Sequence, residues 1–357
     1  MGVLRGKAPG GDRARVMRVA RGVKDRTLIL HIGLHKTATS YVQNTLSARR
    51  YDLLREGVLY PTTGTVDSIT FRTREGAQSG HIQFTRLRED RDVVSELLKE
   101  LPDTASTVLL SSEDFTLPRA NAAAQYIDRF SAFGNVHVVL VLRRQDAWVE
   151  SYYKQMVDQY NRFETRSFDE FLEQMGPKLL DFHARFSPWR DLIGPESFHV
   201  LSYDDLAGGS EICRRILEIA GVNGSFLESS ESISVPRYES VRSIDTIGLR
   251  ILNAYRLDDR DLRTRAAKLI YAAAPDGDIE LMTPEMREGI QALCGPINER
   301  IEREWFQEAV PGFRFGAALG GPAADPPTGS EMVDYIDQVI SLCEGVRTSA
   351  LESSSGQ

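Results

Sequence analysis

A chain of 357 residues with 41% hydrophobic and 26% charged residues has the composition of an ordinary globular protein. It is long enough to bury a large core, in one α/β domain with additions or in two smaller units. No stretch approaches the roughly 20 apolar residues that span a bilayer, so no membrane partner is expected, and the net charge of −8 excludes a general nucleic-acid binder while leaving room for a local basic site that takes one small anion.

Residues 1–26 are basic, with Arg5, Lys7, Arg13, Arg15, Arg18, Arg21, Lys24 and Arg26 against Asp12 and Asp25. They lack the apolar centre of a secretory leader and predict a flexible tail on a cytoplasmic protein. Short runs rich in branched apolar residues then follow at Thr27–Ile32, Val58–Tyr60, Thr107–Leu110, Val136–Leu142 and Phe198–Leu201. Each is bounded by turn residues and predicts a strand. Segments of helical spacing separate them, so the natural architecture is an α/β fold whose parallel sheet is covered on both faces.

Past about residue 205 the strand-like runs give way to helical patterns at Glu211–Ala220, Ser240–Tyr255, Leu262–Ala273 and Pro284–Phe306. A mostly helical C-terminal half is expected, with the main domain over 27–319. Residues 320–330 are dense in Gly, Pro and Ala and predict a linker. Met332, Val333, Ile336, Val339, Ile340 and Cys343 then recur at helical spacing, which predicts an amphipathic helix over 331–347 and a disordered tail over 348–357. Cys213, Cys294 and Cys343 are far apart and lack metal-ligand spacing, so they predict small buried apolar residues in a reducing compartment, and no metal is expected.

Between the first strand and its helix lies His31-Ile32-Gly33-Leu34-His35-Lys36-Thr37-Ala38-Thr39-Ser40. A helix N-terminus offers backbone N–H groups and the positive end of a dipole, which together suit an anion. Thr37, Thr39 and Ser40 can add hydroxyl donors, and Lys36 a mobile positive charge. The loop is similar to a Walker A element but has His35 before the lysine, where glycine belongs, which disfavours a nucleoside triphosphatase.

A second element follows the apolar strand ending at Leu142, where Arg143 is followed eight positions later by Ser151. A guanidinium makes two charge-assisted bonds to phosphate oxygens and a hydroxyl adds a neutral donor. Two such elements can each take a phosphate group.

The two elements together resemble the sulfotransferases that use 3'-phosphoadenosine 5'-phosphosulfate (PAPS). In that family a Lys-x-Gly-Thr-Thr/Ser loop wraps the sulfate-bearing phosphate, and an Arg and Ser at this spacing hold the 3'-phosphate. Ala38 stands at the family's glycine position, which is tolerable if its backbone is helical rather than left-handed. Trp189–Gly194 and the strand followed by Tyr203-Asp204-Asp205-Leu206 are also similar to the family, so the resemblance spans roughly residues 27–220.

It implies a P-loop-like fold, with PAPS as donor and 3'-phosphoadenosine 5'-phosphate (PAP) as product. His35, Lys36, Thr37, Ala38, Thr39, Ser40, Arg143, Ser151 and Tyr203 would form the donor site, and Lys36 would stabilise the leaving phosphate. The acceptor would be a hydroxyl or amine of a small molecule or carbohydrate, with Tyr160–Ser167 as a candidate wall. The family's Arg-Lys-Gly element is not recognisable, and Arg237 and Arg242 are candidates for its role on charge alone.

For the proton of the acceptor, Glu113 is the first candidate, because it follows a strand whose end belongs to the ligand-binding edge of the sheet. His81 is the second, since an unperturbed imidazole titrates near pH 6.5. Two other readings stay open. One is an ATP-dependent, kinase-like phosphotransferase in which Glu113 or Asp114 holds magnesium, and the other a non-catalytic nucleotide-binding module.

Overall fold

The computed structural model describes residues 23–67, 78–87, 92–117, 121–159, 162–206, 208–227, 241–306 and 325–355. The basic stretch before residue 23, Tyr160, Arg237 and residues 320–324 of the expected linker lie outside the described residues. All five expected strands form, and they make one parallel sheet: β1 (Thr27–His31), β2 (Val58–Leu59), β5 (Thr107–Ser111), β6 (Asn135–Leu142) and β7 (Phe198–Ser202), in the order β2-β5-β1-β6-β7. Thr27 pairs with Thr107 on one side and Asn135 on the other, so β1 is central. A two-stranded antiparallel ribbon, β3 (Val66–Asp67) with β4 (Gln78–Ser79), was not expected from the sequence.

The alternation of side chains across the pleat explains why these strands read as continuous apolar runs. Leu28, Leu30, Val108, Leu110, Val138, Leu140 and Leu142 enter one core cluster. Ile29, Leu109, Val139 and Val141 enter another on the opposite face. That second face is covered by α1 (Thr39–Ala48), α2 (Arg50–Arg55) and α8 (Gly209–Ile219), through Val42, Leu46, Leu53, Ile212 and Ile216.

The first face receives the remaining helices: α3 (Val93–Glu100), α4 (Ala122–Arg129), α5 (Gln145–Asp158), α6 (Phe168–Leu179), α7 (Phe182–Ile193), α9 (Ser243–Ala254), α10 (Arg260–Ala273), α11 (Pro284–Trp305) and α12 (Gly329–Ser355). After β7 only helices occur among the described residues, as the sequence predicts.

The C-terminal helices are fastened to α5. Asn253 donates to the carbonyls of Val157 at 3.0 Å and Glu164 at 2.9 Å, Gln145 and Asn298 exchange two amide hydrogen bonds, and Arg287 reaches Asp146 at 3.1 Å. Helix α12 packs on α9 and α10 with Tyr335, Val339 and Cys343 buried. Its start is fixed by Thr328, whose hydroxyl accepts from Glu331 N–H while the Glu331 carboxylate accepts from Thr328 N–H, a capping box.

Three boundaries differ from expectation. Val23 is buried and Arg26 donates to the Pro102 carbonyl at 3.0 Å, so residues 23–26 belong to the body rather than to a tail. Residues 329 and 330 are helical, not linker. Residues 348–355 continue α12 instead of being disordered, because no proline or glycine interrupts the chain between Gly345 and Gly356. All three cysteines are buried and free; burial pushes the Cys213 and Cys294 thiols up to about 12. No helix among the described residues is long and apolar enough to cross a membrane.

Candidate functional site

The chain leaves β1 at its C-terminal edge and folds into the loop 32–38 before α1. The turn needs left-handed backbone at three places, Gly33 (φ 40°), Lys36 (φ 66°) and Ala38 (φ 61°). At Gly33 a side chain is disfavoured twice, by φ 40° and by a Cβ that would lie 2.7 Å from the Thr39 methyl and force it to shift. At Ala38 the condition attached to the sequence reading fails. Its backbone is left-handed, so the methyl is strained by about 1–2 kcal/mol where a glycine would sit at ease.

Neighbouring elements hold this conformation. Trp148 Nε1, in the first turn of α5, donates to the His35 carbonyl at 2.9 Å, and Arg143 Nη1 donates to the Lys36 carbonyl at 3.2 Å. A trans peptide points its C=O and N–H in opposite directions, so the N–H groups of Lys36 and Thr37 face away from these two anchors. Within the loop the Thr37 hydroxyl donates to the Leu34 carbonyl at 2.6 Å. It braces the turn and is not the ligand donor expected from the sequence.

Thr39 is buried and Ser40 exposed. No side chain caps α1 and its first turn holds no acidic residue, so the first-turn amides keep the electropositive character that suits an anion.

The second element meets the first. Because β6 lies beside β1, Arg143 at its end reaches the loop, and its guanidinium also lies 4.9 Å over the Tyr203 ring. Tyr203 is held there by its own N–H, which donates to the Leu142 carbonyl at 2.8 Å. Lys36, Arg143 and Tyr203 are thus one cluster. Ser151 is partly exposed on α5, three residues past Trp148, which puts it on a neighbouring strip of the face that touches the loop.

Arg144 does not join them. Its Nε donates to Asp146 Oδ1 at 3.1 Å, and Asp146 also receives Arg287. Burial works against the Asp146 charge, but these hydrogen bonds outweigh it and hold the carboxyl below its ordinary range. Arg242 is likewise committed, to Asp245 and the Pro275 carbonyl, so it is not available to close over a ligand.

On the other side of β1, the short turn Glu113–Thr116 follows β5. Glu113 Oε2 accepts from Gln43 Nε2 at 2.8 Å. Gln43 is buried on α1, one turn past Thr39, and so links the carboxylate to the helix that the loop begins. Asp114 lies 3.5 Å from His35 Nε2, and the His35 ring meets Tyr152 edge-on at 5.5 Å.

His81 is not suited to be a base. It is fully buried; its Nε2 lies 3.0 Å from the Pro61 carbonyl and its Nδ1 accepts from Ser111 N–H at 3.1 Å. Only the Nε2–H tautomer satisfies both. A proton on Nδ1 would oppose the Ser111 N–H, and burial lowers the pKa to about 4. His31 is also buried and lowered to about 4 by desolvation; its Nδ1 is 2.8 Å from Ser111 Oγ.

Sequence reasoning missed Gln43 and Trp148, which act on the loop from elsewhere in the chain. Gln43 carries a detectable signal, an amide four residues after Thr39 on the buried face that it shares with Val42 and Leu46. The indole of Trp148 carries none.

No protein-family model matches the chain. An uncharacterized protein of Archaeoglobus fulgidus is 25% identical over 206 residues, which cover 56% of this chain and 54% of that protein. The chain therefore spans about half the length of the relative it matches.

Proposed function

We propose that the chain is a sulfotransferase that moves a sulfuryl group from PAPS to a hydroxyl or amine of a small molecule or carbohydrate. The observation that supports it most is the 3.2 Å hydrogen bond from Arg143 to the Lys36 carbonyl, because it joins two phosphate-type elements at one edge of the sheet. A donor with phosphate groups at both ends of its ribose needs two such elements. The first turn of α1, with no side-chain cap and no acidic residue, suits an anion at the end of the loop.

In this reading the acceptor oxygen or nitrogen attacks sulfur in line. The bond from sulfur to the bridging phosphate oxygen breaks, and its electron pair leaves on PAP. Lys36 stabilises that growing charge, as cations do in phosphoryl transfer. Glu113 takes the acceptor proton, while Arg143, Ser151 and Tyr203 hold the 3'-phosphate side of the donor.

Thermal melting with nucleotides tests the reading. PAP raises the melting temperature without magnesium, and ATP does so weakly. A larger shift with magnesium and ATP than with PAP overturns the assignment in favour of phosphoryl transfer.

A further inference from the structure

One side chain of the anion loop is paired with a carboxylate. His35, directly before Lys36, is 5% exposed, and its Nε2 lies 3.5 Å from Asp114 Oδ1 in the turn after β5. With Nε2–H toward Asp114, a second proton goes to Nδ1, which none of the described residues hydrogen-bonds. The other five histidines are placed differently. His31 and His81 are buried and lowered to about 4 by desolvation, His137 and His199 bond to each other at 3.1 Å, and His183 pairs with Glu304 between two helices. Only His35 joins a carboxylate to the anion loop among the described residues.

Both halves of the pair are held. Ser112 Oγ accepts from Asp114 N–H at 3.4 Å, while the adjacent Glu113 engages Gln43. Trp148 holds the His35 carbonyl at 2.9 Å, so the backbone of His35 is tied to α5 and its ring to the turn after β5. The charged and titratable groups around the ring are Lys36 next to it in the chain, Asp114, and Tyr152 of α5, which it meets edge-on at 5.5 Å. Arg162, Arg185 and Asp114 all act on Tyr152. Tyr152, raised by burial, and Arg185, lowered to about 10 by desolvation, each keep one charge state near neutral pH. An imidazole is the side chain whose charge ordinarily changes there.

We infer that His35 is a positioning residue of the donor site, whose protonated ring pairs with Asp114 and clasps the loop when an anion enters it. The inference rests on the donor reading above, which puts the phosphosulfate in this loop. An anion there attracts the second proton onto His35, and the Asp114 carboxylate supplies the counter-charge that a buried imidazolium needs. Charges so far out of water are weakly screened. The coupling is reciprocal, so a proton that the anion favours also favours the anion. Anion affinity is therefore highest with His35 protonated and falls as pH rises through the imidazole range.

Inorganic sulfate is the probe, because it does not titrate between about pH 6 and 8 and leaves the protein as the source of any proton effect. Melting-temperature titrations at constant ionic strength give its apparent affinity. In the wild type that affinity falls about fivefold or more from pH 6 to pH 8, and PAP displaces the sulfate. His35→Gln binds sulfate at pH 6 as the wild type does at pH 8, and Asp114→Asn moves the fall to lower pH. No sulfate response in the wild type, a flat profile, or equal profiles in wild type and His35→Gln overturns the clasp, and an unshifted profile in Asp114→Asn overturns the pairing. Sulfate that PAP does not displace lies outside the donor site and overturns the placement. Calorimetry of the wild type in buffers of different ionisation heat reads the coupling without a variant: sulfate binding takes up a fraction of a proton near neutral pH, and no uptake sinks it. If PAP itself produces no shift, the donor reading fails, and the sulfate profiles of wild type and His35→Gln still decide the clasp.

Discussion

Gln43 Nε2 donates to Glu113 Oε2 at 2.8 Å, so the carboxylate proposed to take the acceptor proton is oriented by the helix that the anion loop opens. Replacing Glu113 by Gln removes the proton acceptor and is expected to lower kcat by about 10²–10⁴-fold while leaving the PAP-induced melting shift intact. Gln43→Ala frees the carboxylate to turn and gives a smaller loss in kcat at unchanged donor KM. Steady-state kinetics with an active acceptor checks both, and full activity in Glu113→Gln removes the role.

Lys36→Ala is expected to abolish transfer, because charge on the departing phosphate is then unopposed. Arg143→Ala raises the donor KM by roughly 10–100-fold, the range for a lost charge-assisted hydrogen bond. The same substitution loosens the Lys36 carbonyl, so a modest fall in kcat accompanies it. Equal activity of Lys36→Ala and wild type sinks the transfer mechanism.

Ala38→Gly relieves a methyl group held at φ 61°. The left-handed penalty of about 1–2 kcal/mol is partly offset by the extra freedom glycine has in the unfolded chain, about 0.5–1 kcal/mol. A net stabilisation between about 0 and 1.5 kcal/mol follows from those two terms. Urea unfolding measures it, and a lower midpoint for the glycine variant contradicts the strain.

His31 and His81 are each lowered to about 4 by burial. Unfolding restores an imidazole of about 6.5, so between these values the unfolded chain binds more protons than the folded one. Stability therefore falls as pH drops from about 6.5 to 4, by up to about 1.4 kcal/mol per pH unit for each ring. Chemical denaturation across that range measures the slope. His81→Gln removes the contribution of one ring, and an unchanged slope in that variant shows that His81 does not carry it.

The sheet was legible because its strands are buried on both faces and need little besides branched apolar residues. The loop at Lys36 and the arginine that meets it, Arg143, could be picked out because each lies at the end of an apolar run, while their use for phosphate is a proposal. What escaped depends on contacts between distant segments. Nothing local reveals that His81 is closed between Pro61 and Ser111, or that the Thr37 hydroxyl turns back on Leu34. The backbone at Ala38 was open to either sign of φ until Trp148 and Arg143 fixed the carbonyls before it. Arg144 and Arg143 are adjacent and alike in sequence, yet Asp146 claims one and the loop the other.

Strand β1 pairs with β5 and β6, whose first partners, Thr107 and Asn135, lie 80 and 108 residues beyond Thr27. Contacts of such long range form slowly, since loop closure must be paid for before they repay it. The anchors of the loop, Arg143 and Trp148, come from still later chain. The loop is thus synthesised before the segments that shape it, and a nascent chain halted short of Trp148 holds every residue of the loop without the bond that fixes the His35 carbonyl.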